Sequence, residues 1–195
     1  VEVMGGTSKA KYVVMEAISK GKHVVTANKA LLAEFLPEVI AALEEHKVRM
    51  GLEAAVCGGI PIIHMLQRDF VGDNCTKISG IMNGTTNYML SKMEAEGISY
   101  DAVLKECQEL GYAEADPTAD VGGFDVRAKI ALLSKIGLGC YVPVEEIPTT
   151  GITSIKTSDF TYAHHLGCTI KLLGMAEIME TGALSIMVSP ILVSL

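Results

Sequence analysis

No apolar run in this 195-residue sequence approaches the roughly 18 residues that a membrane-spanning helix needs. Positive charge is in short supply. Sixteen Lys and Arg stand against 23 Asp and Glu, for a net charge of −7, which argues against a nucleic-acid surface built on basic patches. Cysteine is sparse and without pattern. Cys57, Cys75, Cys107, Cys140 and Cys168 form no C-x-x-C pair, and an odd number cannot close into a complete disulfide set. Free thiols in a reducing compartment, the cytoplasm, are the expectation. None of the five histidines has zinc-ligand spacing; His164 and His165 are adjacent and point different ways. No charged n-region followed by an apolar h-region opens the chain, so no secretory signal is read. There is no internal repeat and no low-complexity segment. What remains is a globular composition, 49% hydrophobic, enough for one substantial core or two small lobes.

The first 56 residues alternate short β-branched runs with amphipathic stretches. Strands are expected at Val1–Met4, His23–Thr26 and Val48–Ala55. Helices are expected from Lys9 to Ser19, ending at Gly21, and from Asn28, a capping residue, to about His46, broken or restarted at Pro37. Strand, helix, strand, helix, strand at this spacing means βαβ units and a parallel sheet. Gly58-Gly59 and Pro61 interrupt the pattern, and a domain boundary is placed there, giving parts 1–56 and 57–195. Beyond it, helices are expected at Ile62–Arg68, Thr85–Glu96, Tyr100–Leu110 and Gly123 to about Ile136. Strands are expected at Lys77–Met82, Thr169–Ile178 and Leu184–Leu192, after a proline-containing loop. The fold class is α/β: a Rossmann-type parallel sheet, incomplete, followed by an α+β substrate domain with a mixed sheet.

The stretch GYAEADPTADVGGFDVRAKIALL, Gly111 to Leu133, carries the most chemistry. Four carboxylates, Glu114, Asp116, Asp120 and Asp125, fall within twelve residues, and Lys129 follows Asp125 by one helical turn. Like charges so close repel unless water or a cation relieves them. An acid cluster ending beside a lysine suggests a site for a small cationic substrate with a proton donor attached. The plain alternative is a solvated loop and an ordinary i, i+4 surface pair worth a few tenths of a kcal/mol. Asn83-Gly84-Thr85-Thr86 precedes a helix, whose first N–H groups offer an anion site or merely an N-cap. Asp116, just before Pro117, reads as a turn or capping residue.

These segments resemble homoserine dehydrogenase. EADPTADVxGxDxxxK is similar to that family's central signature. VEVMGGT, GKHVVTANKALLA, EAAVCGGIPII and GIMNGTTNYML are similar to its other motifs in the same order. The family interconverts L-homoserine and L-aspartate 4-semialdehyde with NADP or NAD, a step toward threonine, methionine and isoleucine. The resemblance implies Lys129 as proton donor with Asp125 beside it. It implies Gly84, Thr85, Tyr112, Glu114, Asp120 and Asp125 as substrate contacts, and Gly5, Lys29 and Gly111 as cofactor contacts. Lys29 becomes a second candidate for assisting catalysis. A monovalent cation, Na+ or K+, is implied at Glu53, Val56, Gly58 and Ile60, through the glutamate side chain and three carbonyl oxygens; without the resemblance this bend is simply a turn. A homodimer is implied, with a cytoplasmic location, or a plastid one if a transit peptide lies outside these residues.

The family's G-x-G-x-x-G fingerprint, where glycine backbone and a helix N-terminus hold the pyrophosphate, occurs nowhere in these residues. The expectation is therefore a fragment with the later half of a Rossmann domain. An alternative is an inactive substrate-binding and dimerising lobe, for which the alternation of Leu184, Ile186 and Val188 with Ser185, Met187 and Ser189 suits a dimer sheet.

Overall fold

The computed structural model describes residues 1–195. The N-terminal βα pattern forms with less strand than its β-branched runs suggest. Helix α1 (Ser8–Ser19) buries Ala10, Val14 and Ile18, spaced by one turn, against helix α2 (Lys29–Glu45). Strands β1 (Val24–Val25) and β2 (Met50–Gly51) pair in parallel, and Glu2 adds one parallel bridge to Thr26. The strand expected at Val1–Met4 contributes only that bridge. Val1 and Val3 are 98% and 72% exposed, and the inward residue is Glu2. The strand expected at Val48–Ala55 shrinks to β2, because Glu53–Ala55 folds into a 3-10 turn. The Asn28 side chain caps α2, accepting from Leu31 N–H at 3.0 Å. Pro37 removes one helical N–H, and the backbone leaves helical geometry at Phe35 (φ −120°, ψ 20°), so α2 kinks without ending.

Beyond residue 60 come α3 (Ile62–His64), which runs into a π-helical turn at Met65–Asp69, β3 (Lys77–Gly80), α4 (Gly84–Glu96) and α5 (Tyr100–Glu109). Then follow α6 (Thr118–Val121), α7 (Phe124–Leu138), α8 (Thr157–His165), β4 (Cys168–Ile178) and β5 (Leu184–Ser194). Helix α8 interrupts what reads as one proline-containing loop. Asp159 starts it by accepting from Lys156 N–H at 2.7 Å, and Phe160 and Ala163 anchor it. Strands β3, β4 and β5 form an antiparallel sheet in that order, with a parallel bridge from Thr149 to Val188 at its edge.

Helix α7 lies directly on β4. Gly174 allows the approach, since a Cβ there would stand 2.8 Å from Val126 Cγ1 and 3.3 Å from Ile130 Cβ. Val126, Ile130 and Leu133 of α7 share a single buried core with Met89, Leu90 and Met93 of α4 and with Val14, Ile18, Leu31 and Leu32 of α1 and α2. That continuity fixes the start of α2 against the start of α7, where the site is built.

Candidate active site

Three chain segments meet around the first turn of α7. Asp125 Oδ2 accepts from Lys129 Nζ at 2.6 Å and from Asn83 Nδ2 at 2.9 Å. Its Oδ1 lies 3.1 Å from Lys29 Nζ at the start of α2. The side chains of Asp125 and Lys129 are 9% and 15% exposed, so this i, i+4 pair is not a solvated surface pair. Burial pushes the Asp125 carboxyl up. The Asn83 hydrogen bond, the Lys129 ammonium and the more distant Lys29 outweigh burial and hold it below the ordinary carboxylate range. Lys129 Nζ also donates to Met82 O at 2.6 Å. Two of its three N–H bonds are thus used and one remains. The ammonium lines a cavity of about 340 Å³ shared with Cys57, Ile60, Asn83, Gly84 and Asn87.

Asn83 joins the two acidic positions. Its Oδ1 caps α4, accepting from Thr86 N–H at 2.8 Å, while its Nδ2 donates to Asp120 Oδ1 at 2.6 Å and to Asp125 Oδ2. The sequence alone points here to an N-cap or an anion site at a helix start. The available signal was chemical: an asparagine that caps through its carbonyl keeps a spare amide donor. Its acceptors, 37 and 42 residues on, were not visible.

No backbone acceptor takes the N–H groups of Gly84 and Thr85, as expected for a first helical turn. The Thr85 hydroxyl donates to Tyr112 O at 2.8 Å and ties the 111–113 turn to α4. A second cavity of about 380 Å³ opens between Gly84, Thr85, Tyr88 and Tyr112, whose two rings tilt with centroids 5.3 Å apart. Gly111 is exposed at φ +76°. Glu114 is exposed, and its carboxylate takes no part in the cluster around Asp125. Asp116 accepts from Thr118 N–H at 3.1 Å, as a capping residue does.

A separate network lies at the first strand. The Glu2 carboxylate is 3% exposed and accepts from Thr26 Oγ1 at 2.6 Å and Met4 N–H at 2.8 Å. Burial pushes its carboxyl up, but the Thr26 hydroxyl, Met4 N–H and Asn28 amide bring it below the ordinary range. Asn28 Nδ2 donates to Gly6 O at 2.7 Å and pins the Gly5-Gly6 turn. Both glycines have positive φ, +74° and +68°, and a Cβ on either would meet no atom within 4 Å. This leaves an open backbone floor beside a cavity of about 320 Å³ that Asn28 and Lys29 also line. Lys29 therefore reaches from the glycine floor to Asp125.

Glu53 accepts from the N–H groups of Ile63 and His64 at 2.9 and 2.8 Å and so tethers the start of α3. Cys57 and Gly58, both left-handed at φ 58° and 59°, turn the chain back toward the Lys129 cavity.

The family model described as homoserine dehydrogenase matches residues 61–195. The chain belongs to the homoserine dehydrogenase family. The model for that family's NAD-binding domain matches residues 1–53. The homoserine dehydrogenase of Synechocystis sp. is 49% identical over 177 residues, covering 91% of this chain and 41% of that protein. The Mycobacterium tuberculosis homoserine dehydrogenase is 46% identical over 181 residues, 93% of this chain and 41% of that protein. The chain thus spans about two fifths of the length of the curated relatives it matches. A crystal structure of a homoserine dehydrogenase from Thiobacillus denitrificans superposes with a TM-score of 0.94 at 45% identity, over 97% of this chain and 44% of that one. A hyperthermophilic archaeal homoserine dehydrogenase in complex with NADPH superposes at 0.80 with 27% identity, over 97% of this chain and 54% of that one. The α/β architecture is therefore that of the family. The Gly5-Gly6 floor and Lys29 lie within the part matched by the NAD-binding model, and Asn83, Asp120, Asp125 and Lys129 within the part matched by the homoserine dehydrogenase model.

Proposed function

We propose that these residues form the substrate half of an active site that interconverts L-homoserine and L-aspartate 4-semialdehyde. The observation that carries the reading is the Lys29–Asp125–Lys129 cluster, its Asp125–Lys129 pair largely buried, with one Lys129 N–H bond uncommitted beside a small cavity. In the direction of reduction, the carbonyl oxygen becomes anionic as its carbon is attacked. Lys129 stabilises that charge and delivers the proton from Nζ. Asp125 aims the ammonium, while Met82 O fixes a second N–H bond. Lys29 shares Asp125, so the carboxylate serves two cations, one of which keeps an N–H bond for the oxyanion. Gly84 and Thr85 offer free N–H groups to the substrate carboxylate. Asp120, Glu114 and the Tyr112 hydroxyl face the ammonium end.

A nicotinamide cofactor, NADP or NAD, would supply or accept the hydride. The residues present fit it: a side-chain-free floor at Gly5 and Gly6, pinned by Asn28, with Lys29 at its rim. Gly111 would approach it from the other side. For a monovalent cation, Na+ or K+, oxygen donors are at hand. Glu53 keeps spare lone pairs beyond its two backbone contacts. The buried Asn87 Oδ1, on the cavity that Gly58 and Ile60 line, has no hydrogen-bond partner. Glu53, Val56, Gly58 and Ile60 would hold such an ion. Residues 1–56 would form the nucleotide part and 57–195 the catalytic part. Strand β5 pairs with one neighbour and leaves Leu192 half exposed, a surface that a second copy would cover in a homodimer.

The test is homoserine-dependent reduction of NADP or NAD by the full-length protein, followed at 340 nm. Reduction with other alcohols but not homoserine would overturn the substrate assignment. No reduction with any alcohol, in a folded protein that binds NADPH, would overturn the activity.

A further inference from the structure

We infer that Asn83 is a positioning residue: its single amide nitrogen clamps Asp120 to Asp125 and thereby holds both carboxylates in the geometry the lysines require. The inference rests on the proposed reaction for its kinetic readout, but the clamp itself stands on the hydrogen-bond geometry of Asn83. Nδ2 lies 2.6 Å from Asp120 Oδ1 and 2.9 Å from Asp125 Oδ2, so both N–H bonds of the amide are spent on carboxylates from two different helices. The amide cannot turn over, because Oδ1 already accepts from Thr86 N–H at 2.8 Å and from Thr86 Oγ1 at 3.0 Å. A flipped amide would set N–H groups against N–H groups. Asn83 is 7% exposed, so water does not substitute readily.

The electrostatics give the clamp a purpose. Two carboxylate oxygens held on one nitrogen are close enough to repel, and removing the donor between them would leave that repulsion unrelieved at Asp125. The charged and titratable groups that face Asp125 are Lys129 on its own helix, Lys29 from α2, Asp120 from α6, and Cys57 from the loop before α3. The lysines favour ionisation and the acids oppose it. Asn83 is the neutral member of the set, and it satisfies both Asp120 and Asp125 without discharging either. An ammonium group on the substrate could then approach Asp120 while Asp125 remains committed to Lys29 and Lys129.

Two substitutions separate the clamp from the cap. Asn83→Ser keeps a good helix-capping oxygen but cannot reach both acids. Asn83→Asp keeps the cap and adds a third carboxylate where the donor was. The carboxyl carbons of Asp120 and Asp125 would be followed through a pH titration by NMR in the full-length protein, alongside the pH dependence of kcat/KM for homoserine. The expected result is a folded Asn83→Ser protein in which proton uptake by Asp125 moves up by about one pH unit. Its acid limb of kcat/KM should move with it, giving about a tenfold loss at pH values below that limb. In Asn83→Asp the same shift should be larger. Carboxyl titrations unchanged in folded Asn83→Ser would overturn the clamp. Shifted titrations with an unmoved kinetic limb would overturn its role in positioning. If the parent protein showed no homoserine oxidation, the NMR arm would still decide the clamp, and the failure would belong to the proposed reaction.

Discussion

Two buried carboxylates in this chain are held in opposite ways. Glu2 is surrounded by neutral donors, the Thr26 hydroxyl, Met4 N–H and the Asn28 amide, and no cation touches it. Asp125 is surrounded by two ammonium groups and one amide. Both lie below the ordinary carboxylate range, and in both cases hydrogen bonds overcome burial. The difference is what each arrangement leaves over. The Glu2 network is closed: its donors are consumed in fixing Thr26, Asn28 and the glycine turn. The Asp125 network keeps spare capacity, in the remaining N–H bond of Lys129 beside a cavity. A saturated carboxylate makes scaffold; one shared between two cations makes a site.

The sharpest way to break this comparison is Lys129→Ala. Asp125 keeps Lys29 and Asn83, so circular dichroism should show an intact fold. Turnover should fall by about 10³-fold or more, the upper range for loss of a positioned proton donor. A variant with turnover within tenfold of the parent would put the proton donor elsewhere, with Lys29 the first candidate.

Glu2→Gln should give the reverse pattern. The new amide sets N–H groups against the Thr26 hydroxyl or Met4 N–H, which leaves a buried donor unpaired and removes about 1–3 kcal/mol of stability by urea unfolding. NADPH binding should weaken by fluorescence titration, because Asn28 and Gly6 lose their anchor. The turnover number at saturating cofactor should change only a few-fold. A large drop in that number with unchanged stability would mean that Glu2 acts in the chemistry.

Acid should reach both networks with the same sign. The folded pKa of each group is depressed, so its contribution to stability is complete above the ordinary values of 4.5 for Glu2 and 3.8 for Asp125 and is lost as pH falls through the depressed ones. The parent protein should lose stability progressively below about pH 5, and Glu2→Gln should flatten that slope. An unchanged slope would mean that Glu2 titrates in the folded protein as it does in the unfolded chain.

The two networks also differ in how legible they were. Asp125 and Lys129 announce themselves, because helical spacing places them on adjacent turns of one face. Capping chemistry gave Asn28 and Asp116 for the same reason: cap and helix are neighbours in sequence. Glu2 was hidden inside an apparently apolar strand, where alternation turned Val1 and Val3 outward and the charge inward. The short strands at the N-terminus were over-read because β-branched runs carry no information on how far a ladder extends. Asn83 was half visible, its cap local and its clamp non-local. Helix α8 is hard to read in the sequence because nearby prolines suggest a loop over the whole stretch from residue 137 to 168, although Asp159 supplies a local start.

Glu114 tests the outer limit of the site and carries the smallest expected effect. It belongs to the same acidic run as Asp120 and Asp125, yet it stands exposed outside the hydrogen-bonded cluster. An exposed side chain without partners contributes little to folding, so Glu114→Leu should leave unfolding within about 0.5 kcal/mol of the parent. If its carboxylate meets the substrate ammonium, the loss falls on binding. The KM for homoserine should then rise about tenfold, the equivalent of one charge-assisted hydrogen bond, with turnover changed less. Glu114→Gln, which keeps the shape and an acceptor oxygen, should recover part of that loss. Equal KM values for all three proteins would confine substrate recognition to Asp120 and the start of α4, and would make the Asn83 clamp the outer wall of the site.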